Sequence, residues 1–523
     1  MVKYLDNNSG FNQWAANKDA QNKRGLSLSR ILWWMFFIMA AWWLIGMFFG
    51  PKTAPTQNDV VAETMAADLS AVPASQIDAE NITVTVRGLR IADVELKGFN
   101  RVAGDDAAMR LLDENEGAFA EVGLLAPGTT APVATTVWRG DNGQYSWRNN
   151  DGVDFSRNIS TDGYIITVTD TVRNNTGRDI SVAPYARIVR DADKKSSAGV
   201  FTGAVAYANA DFEHKSWASI KKHPRAYTSA NGYVGFVDQY WETVASIDSA
   251  DQTMRAAPHG DLYQADAAAS AVAIAPGADK TITTRLYVGP RESNALKSAA
   301  NVIPGIAKTM DYGWFWFLAR PMLWALNLIH SFVMNYGLAI IILTILLRLL
   351  MWPLTRKSYQ SMAKMQKMQP EMQRIQKLYA KDKARLQLEM MKLYQSHRTS
   401  PMSGCLPLLI QIPIFFALYK ALLISVQMRH AHFLWISDLA AMDPYFILPI
   451  LMGATMWWQQ KVQSTATPNA SSDDPIAQTQ RAMKWMPVLF TVLFAWMPAG
   501  LVLYWATSNL CGIFQMYVIK KRS

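Results

Sequence analysis

Residues 336–355 read YGLAIIILTILLRLLMWPLT, and this run limits the possible folds more than any other part of the chain. It is about as long as the ~20 apolar residues that cross a bilayer. In hydrocarbon, backbone N–H and C=O groups must pair within their own segment, so such a run has to be helical. One charge, Arg348, lies inside it, where a charge costs roughly 2.5–3.5 kcal/mol. A helix that keeps such a residue either lets it reach the headgroups or surrounds it with water.

Further apolar runs lie at residues 31–50, 404–426, 444–460, 485–497 and 500–519. With 335–354 as the second, they predict six spans. Lys18, Lys23, Arg24 and Arg30 precede the first, which places residues 1–30 in the cytoplasm. That run is long, holds four tryptophans and has no small-x-small site close behind it, so it reads as an uncleaved anchor. Residues 314–332 are also apolar but contain Arg320-Pro321. Were they a span, residues 355–400 would lie outside with 11 Lys and Arg against Glu371, Asp382 and Glu389. Positive charge stays inside, so 311–324 is expected to be an amphipathic helix along the outer interface. The sequence thus predicts both termini, a loop at 461–484 and a tail at 520–523 in the cytoplasm.

Residues 51–80 are rich in Ala, Pro, Thr and Gln and read as a flexible linker. Alternation then begins, as in NITVTVRG (81–88) and GYIITVTDTVRN (163–174), and predicts a large all-β sandwich over 81–310. Residues 51–310 carry 25 Lys and Arg against 31 Asp and Glu, although the whole chain is +10. The basic excess therefore flanks membrane segments and does not mark a nucleic-acid binder. Cys405 and Cys511 both lie in apolar runs, which leaves the outer domain without a disulfide. His214, His223 and His259 have no ligand-like spacing, and no hydrolase or phosphate-loop motif is present. The Asp and Glu pairs there read as a solvated acidic face. No metal, cofactor or catalytic residue is expected.

Between the second and third spans, residues 355–400 read as a helical hairpin broken near 380–383. Met362, Met365, Met368 (or Gln369), Met372, Ile375 and Tyr379 form one stripe, and Leu386, Met390 and Leu393 another. Pro370 should kink the first helix. Two such stripes bury each other, and methionine also suits a surface that accepts varied partner helices.

No span contains Asp or Glu, so Arg348 has no ionic partner at that depth. Thr344 lies one turn earlier on the same face. Gln411 sits between Pro407 and Pro413, and the last span offers Tyr504, Thr507, Ser508 and Asn509. These groups fit a hydrated groove, while snorkelling of Arg348 to the inner headgroups stays open. Lys420, near the outer end of its span, reads as a snorkelling residue.

Four stretches carry a resemblance. They are YGLAIIILTILLRLLMWPLT, SMAKMQKMQPEMQRIQ, SPMSGCLPLLIQIPIFFALYKAL and MPAGLVLYWATSNL, in order across residues 311–523. The chain resembles the YidC family of membrane protein insertases, in the Gram-negative form with an anchor and a large periplasmic domain. The resemblance implies a five-helix core and a supersandwich related to sugar mutarotases but without their activity. It also implies a groove open to cytoplasm and lipid, bearing Arg348, Thr344 and Gln411, with Tyr504 and Trp505 on the face that meets clients. The hairpin methionines Met365, Met368, Met372 and Met390 would receive clients. Implied partners are newly made inner-membrane proteins, the Sec translocon, the ribosome and the signal recognition pathway. Lys520, Lys521 and Arg522 are fewer than the basic tail some relatives use on ribosomes. A secondary transporter would need repeated halves and intramembrane acids. An intramembrane protease would need more than PMSGC, which lacks the first glycine of G-x-S-G and a histidine base. A bare anchor for the β domain would leave the polar groove residues without a role.

Overall fold

The computed structural model describes residues 69–192, 200–379, 382–397, 406–463 and 475–522. The expected anchor at 31–50, the segment before it, most of the linker, Cys405 and residues 464–474 of the expected loop lie outside them.

The alternating segments form two antiparallel sheets. One has ten strands, in the order Ala74–Asp78, Ile82–Arg87, Arg90–Asn100, Phe119–Leu125, Ile180–Arg190, Leu262–Ala269, Gln252–His259 and Arg225–Ser229, with two more strands off this path. The other has nine and is built around Trp241–Ile247, Asp279–Pro290, Ile165–Asn174 and Val153–Asp162. Ile82–Arg87 buries every second residue, as a strand with one covered face must. Val84, Val94, Leu112, Val122 and Ile188 of the first sheet share a core with Ile166, Val168, Phe236, Leu286 and Val288 of the second. The first strand corrects the expected linker. Ala74–Asp78 pairs with Ile82–Arg87, because Ile77 packs on the core although its neighbours are polar.

The acidic residues are not simply a solvated face. Arg90 lies opposite Glu121, Glu121 opposite Arg187, Arg187 opposite Asp266 and Asp266 opposite Arg255, across five adjacent strands. Opposite charges facing across strands stabilise pairing. Arg157 makes two bonds of 2.7 and 2.8 Å to buried Asp170, the bidentate geometry arginine favours.

The helical part begins with α1, Trp316–Val333. It buries Ala319, Met322, Leu323 and Leu326, the three- and four-residue spacing of one helix face, and exposes Trp316, Trp324 and Phe332. This corrects the expected helix at 311–324. Pro321 does not end the helix, because the bond it forgoes belongs to the carbonyl of Phe317, near the exposed helix start. Next come α2 (Tyr336–Leu350) and α3 (Trp352–Lys367). Pro353 cannot donate to the Leu349 carbonyl, and the chain bends by 62° there, so α2 ends four residues before the expected 354. Then follow α4 (Gln369–Leu378), α5 (Lys383–Ser396), α6 (Leu406–Ile424), α7 (Ile447–Gln463), α8 (Pro475–Phe494) and α9 (Ala499–Arg522). Pro370 sits in the first turn of α4 rather than kinking a longer helix. Helix α8 starts ten residues before the expected 485, since PIAQTQRAMK is polar but helix-forming.

Helix α9 packs on α2 and α7, α1 packs on α2 and α6, and α4 packs on α5. Among the described residues one helix, over Ala499–Ile519, is long and apolar enough to span a bilayer, or two if the bent α2–α3 pair counts. Gln411–Ile424 and Lys484–Phe494 are shorter apolar helices.

The two parts meet at the end of α6. Gln239 donates to the Leu423 carbonyl at 3.0 Å. Arg429 donates to the carbonyls of Asn100 and Arg101, each at 2.6 Å, and Val426 joins the β-domain core. Lys420 does not reach for headgroups as expected, since its amine lies 2.7 Å from Asp311. Burial alone would raise the Asp311 carboxyl, but the Lys420 hydrogen bond and charge, the Gly313 N–H and Arg291 outweigh it and hold it below the usual range.

Close to this junction Glu242 is fully buried and accepts from the Thr309 hydroxyl at 2.7 Å. Burial pushes its carboxyl up to about 7, although Arg291 and Thr309 pull it down. A carboxyl raised on folding holds its proton in the native state, so its contribution is most favourable below the ordinary value near 4.5 and is lost as pH rises through 7. The full chain should therefore lose on the order of 3 kcal/mol of β-domain stability between pH 4.5 and 8. Glu242→Gln should flatten that slope in thermal melts. An unchanged slope in the variant would assign it to other groups.

Candidate functional site

The site is built on three helices. On α9, Tyr504, Ser508 and Gln515 are spaced by four and seven residues and share the face turned to α2 and α6. Arg348, in the last turn of α2, donates to the Ser508 hydroxyl from Nε at 2.9 Å and from a terminal nitrogen at 2.6 Å. Gln411 on α6 donates to the Tyr504 hydroxyl and lies 3.4 Å from the Ser508 oxygen. The four side chains thus form one polar chain, with Ser508 as the shared acceptor.

The direction of Arg348 is informative. Its backbone carbonyl accepts from Gln515 Nε2 at 3.0 Å, while its guanidinium reaches Ser508. Seven residues of α9 separate these two points, roughly 10 Å along a helix. Helical side chains lean toward the N-terminus of their helix, so the guanidinium points back along α2 and away from the nearby end at Leu350. Ser508 lies mid-way along the apolar stretch Ala499–Ile519. Among the described residues no ion pair involves Arg348. Its charge therefore stands against neutral hydroxyl and amide groups, and a charge in such surroundings acts over a longer distance than in water.

The remaining residues expected at the site have other neighbours. Thr344 is buried and its hydroxyl donates to the Ile340 carbonyl at 2.6 Å, so its polarity is spent within α2. Trp505 sits in an aromatic cluster with Phe415, Phe494 and Phe490, ring centroids 4.9, 5.2 and 5.8 Å away. Asn509 turns toward α7 and lies 3.3 Å from the Thr455 hydroxyl. In the hairpin Met368 is buried, Met372 and Met390 are half-buried, and the side chain of Met365 lies outside the described residues. Among the described residues, the large apolar side chains most exposed on α4 and α5 are Leu378, Leu388 and Met391.

Two residues at the centre were not singled out from sequence. Ser508 is one of four polar groups in the last span, and Gln515 stands alone among the apolar residues that follow them. The available signal was their spacing from Tyr504, which keeps all three on one face. Among the described residues no group of three or more His, Cys, Asp or Glu could hold a metal.

Two family models match the chain. One is described as 60Kd inner membrane protein and covers residues 328–523. The other is described as YidC periplasmic domain and covers residues 76–325. A Magnetococcus marinus protein named membrane protein insertase YidC is 34% identical over 467 residues, 84% of this chain and 82% of the relative. A Cellvibrio japonicus protein of the same name is 35% identical over 502 residues, covering 90% and 89%. Among solved structures, an active YidC insertase with its first transmembrane domain resolved aligns with a TM-score of 0.37 and 19% identity, over 87% of this chain and 95% of that one.

Proposed function

This chain belongs to the YidC family of membrane protein insertases, and from that membership we propose how it works as an insertase of the inner membrane. Its partners are newly made membrane proteins and the lipid bilayer. The Sec translocon, the ribosome and the signal recognition pathway are further partners in this reading.

In the proposed mechanism a client has to carry a polar, often acidic, segment across the apolar layer. A hydrated groove walled by α2, α6 and α9 shortens that path from the cytoplasmic side. Arg348 attracts the segment by its positive potential, which weakly polar surroundings strengthen. The observation that carries this reading is the direction of the guanidinium, toward Ser508, Gln411 and Tyr504 and away from the end of α2. A snorkelling arginine would reach the other way. Thr344 contributes in this reading by backing the groove wall, and Trp505 by holding the aromatic face beside it. Outward-facing Leu346, Leu349, Trp457, Val488 and Phe514 are exposed, as a surface that releases apolar client segments into lipid would be. Nothing in this mechanism forms or breaks a covalent bond.

The proposed topology has six spans with both termini in the cytoplasm. The β domain and α1 lie on the periplasmic side and the α4–α5 hairpin on the cytoplasmic side, where it receives clients. Reporter fusions near residues 206 and 383 test this, the first active only in the periplasm and the second only in the cytoplasm. The functional test is the purified full chain in liposomes, given a small single-span client with an acidic outer segment. Protease protection of that segment should exceed the level in empty liposomes several-fold. Equal protection in both would overturn the reading.

A further inference from the structure

Gln515 is buried, with 3% of its surface exposed. Its amide nitrogen donates to the Arg348 carbonyl at 3.0 Å, and its amide oxygen has no partner among the described residues. A buried amide oxygen left unpaired is costly, and a flipped amide would set oxygen against the carbonyl oxygen. The side chain is therefore held there by the single bond its nitrogen makes. That bond falls where the backbone needs one. The last carbonyls of a helix have no partner within it, and α2 stops at Leu350 before the 62° bend into α3. Without a partner from outside, the Arg348 carbonyl at this helix end would go unpaired.

We propose that Gln515 is the positioning residue for Arg348. It fixes the backbone of the final turn of α2 against α9, so that the guanidinium is held at Ser508 and not released toward the helix end. Helix α9 then grips one arginine at two levels, the main chain through Gln515 and the charge through Ser508. This rests on the reading of Arg348 as the groove's attracting charge. It adds that the position of the charge, and not its presence alone, sets how well acidic segments are drawn in.

The test uses the full chain in liposomes with two matched clients, one with an acidic outer segment and one with a neutral one. Gln515→Leu keeps the volume and removes the donor. It should lower insertion of the acidic client about fivefold, the effect of one lost hydrogen bond, and change the neutral client less than twofold. General destabilisation would lower both alike, and that result overturns the proposal. In an Arg348→Ala background Gln515→Leu should cost nothing further, because coupled residues are not additive. A full fivefold loss there also overturns it.

A second readout does not depend on insertion. Cys511 lies on α9 between Ser508 and Gln515, half-buried and within electrostatic reach of Arg348. Burial opposes a charge on this sulfur and the Arg348 guanidinium favours it, so moving the guanidinium away slows reaction through the thiolate. With Cys405 replaced by serine, Gln515→Leu should slow alkylation of Cys511 by a small thiol reagent at least twofold, in the direction of Arg348→Ala. An unchanged rate means the guanidinium has not moved and the positioning role is wrong. If Arg348→Ala inserts acidic clients normally, the attraction reading fails by itself, and the alkylation rate still decides the role of Gln515.

Discussion

Arg348→Glu should abolish insertion of clients with acidic outer segments while leaving a folded protein. A unit charge about 8 Å from an approaching carboxylate contributes on the order of 2 kcal/mol at an effective dielectric near 20, which is roughly a 30-fold effect. Arg348→Ala removes that attraction. Arg348→Glu replaces it with repulsion and should cost a similar factor again. Arg348→Lys should keep part of the activity, because the positive charge survives although the planar fork that bridges to Ser508 is lost. Insertion rates in liposomes, with a neutral client as control, give the comparison. Normal insertion of several acidic clients by folded Arg348→Ala protein would leave the arginine without the role proposed for it.

The second large effect is structural. Gly337, in the first turn of α2, lies against Phe433 so closely that an added Cβ would sit 2.2 Å from the ring carbon Cγ and 2.7 Å from the Phe433 Cβ. Phe433 is buried, and its backbone exchanges two hydrogen bonds with Ile436, so the ring cannot swing aside alone. Gly337→Ala should destabilise the contact between α2 and the segment after α6 by about 1–3 kcal/mol, the usual range for overpacking. The same Cβ would favour the helix itself, so a loss assigns the effect to packing. Phe433→Ala should also destabilise, yet the double variant should lose less than the two singles together, because the clash then has no second partner. Thermal melts of the four proteins in detergent provide the cycle. Strict additivity would mean that the two residues do not meet.

The apolar run at 336–355, the alternation after residue 81 and the four ordered motifs were each legible in one dimension. A period of two residues and a period near 3.6 are local properties, and they set element type wherever one face is buried. The boundaries were less legible, for reasons particular to each segment. Residues 74–78 offer one apolar side chain, Ile77, which is too little for a pattern. Pro321 reads as a break, yet it falls near an exposed helix start that tolerates the lost bond. Helix α8 begins at polar residues because helices do not end where apolarity ends, whereas hydropathy marks only the part suited to lipid.

The site divides in the same way. Arg348, Gln411 and Tyr504 could be read from sequence, because a polar group in an apolar run needs a reason to be there. Their arrangement could not. Arg348 and Ser508 are 160 residues apart, Lys420 and Asp311 are 109 apart, and no period links such positions. Two features of the sequence, the lack of acids in the spans and the charge among apolar residues, left both a groove and a snorkelling arginine open. Packing of α2 against α9 decided which way the guanidinium points, and it brought in Gln515, whose neighbours along the chain give no hint of a partner. Element type, membrane class and family follow from local pattern and motif order. Which polar groups meet depends on how helices cross, and that is fixed by side-chain packing between segments far apart in the chain.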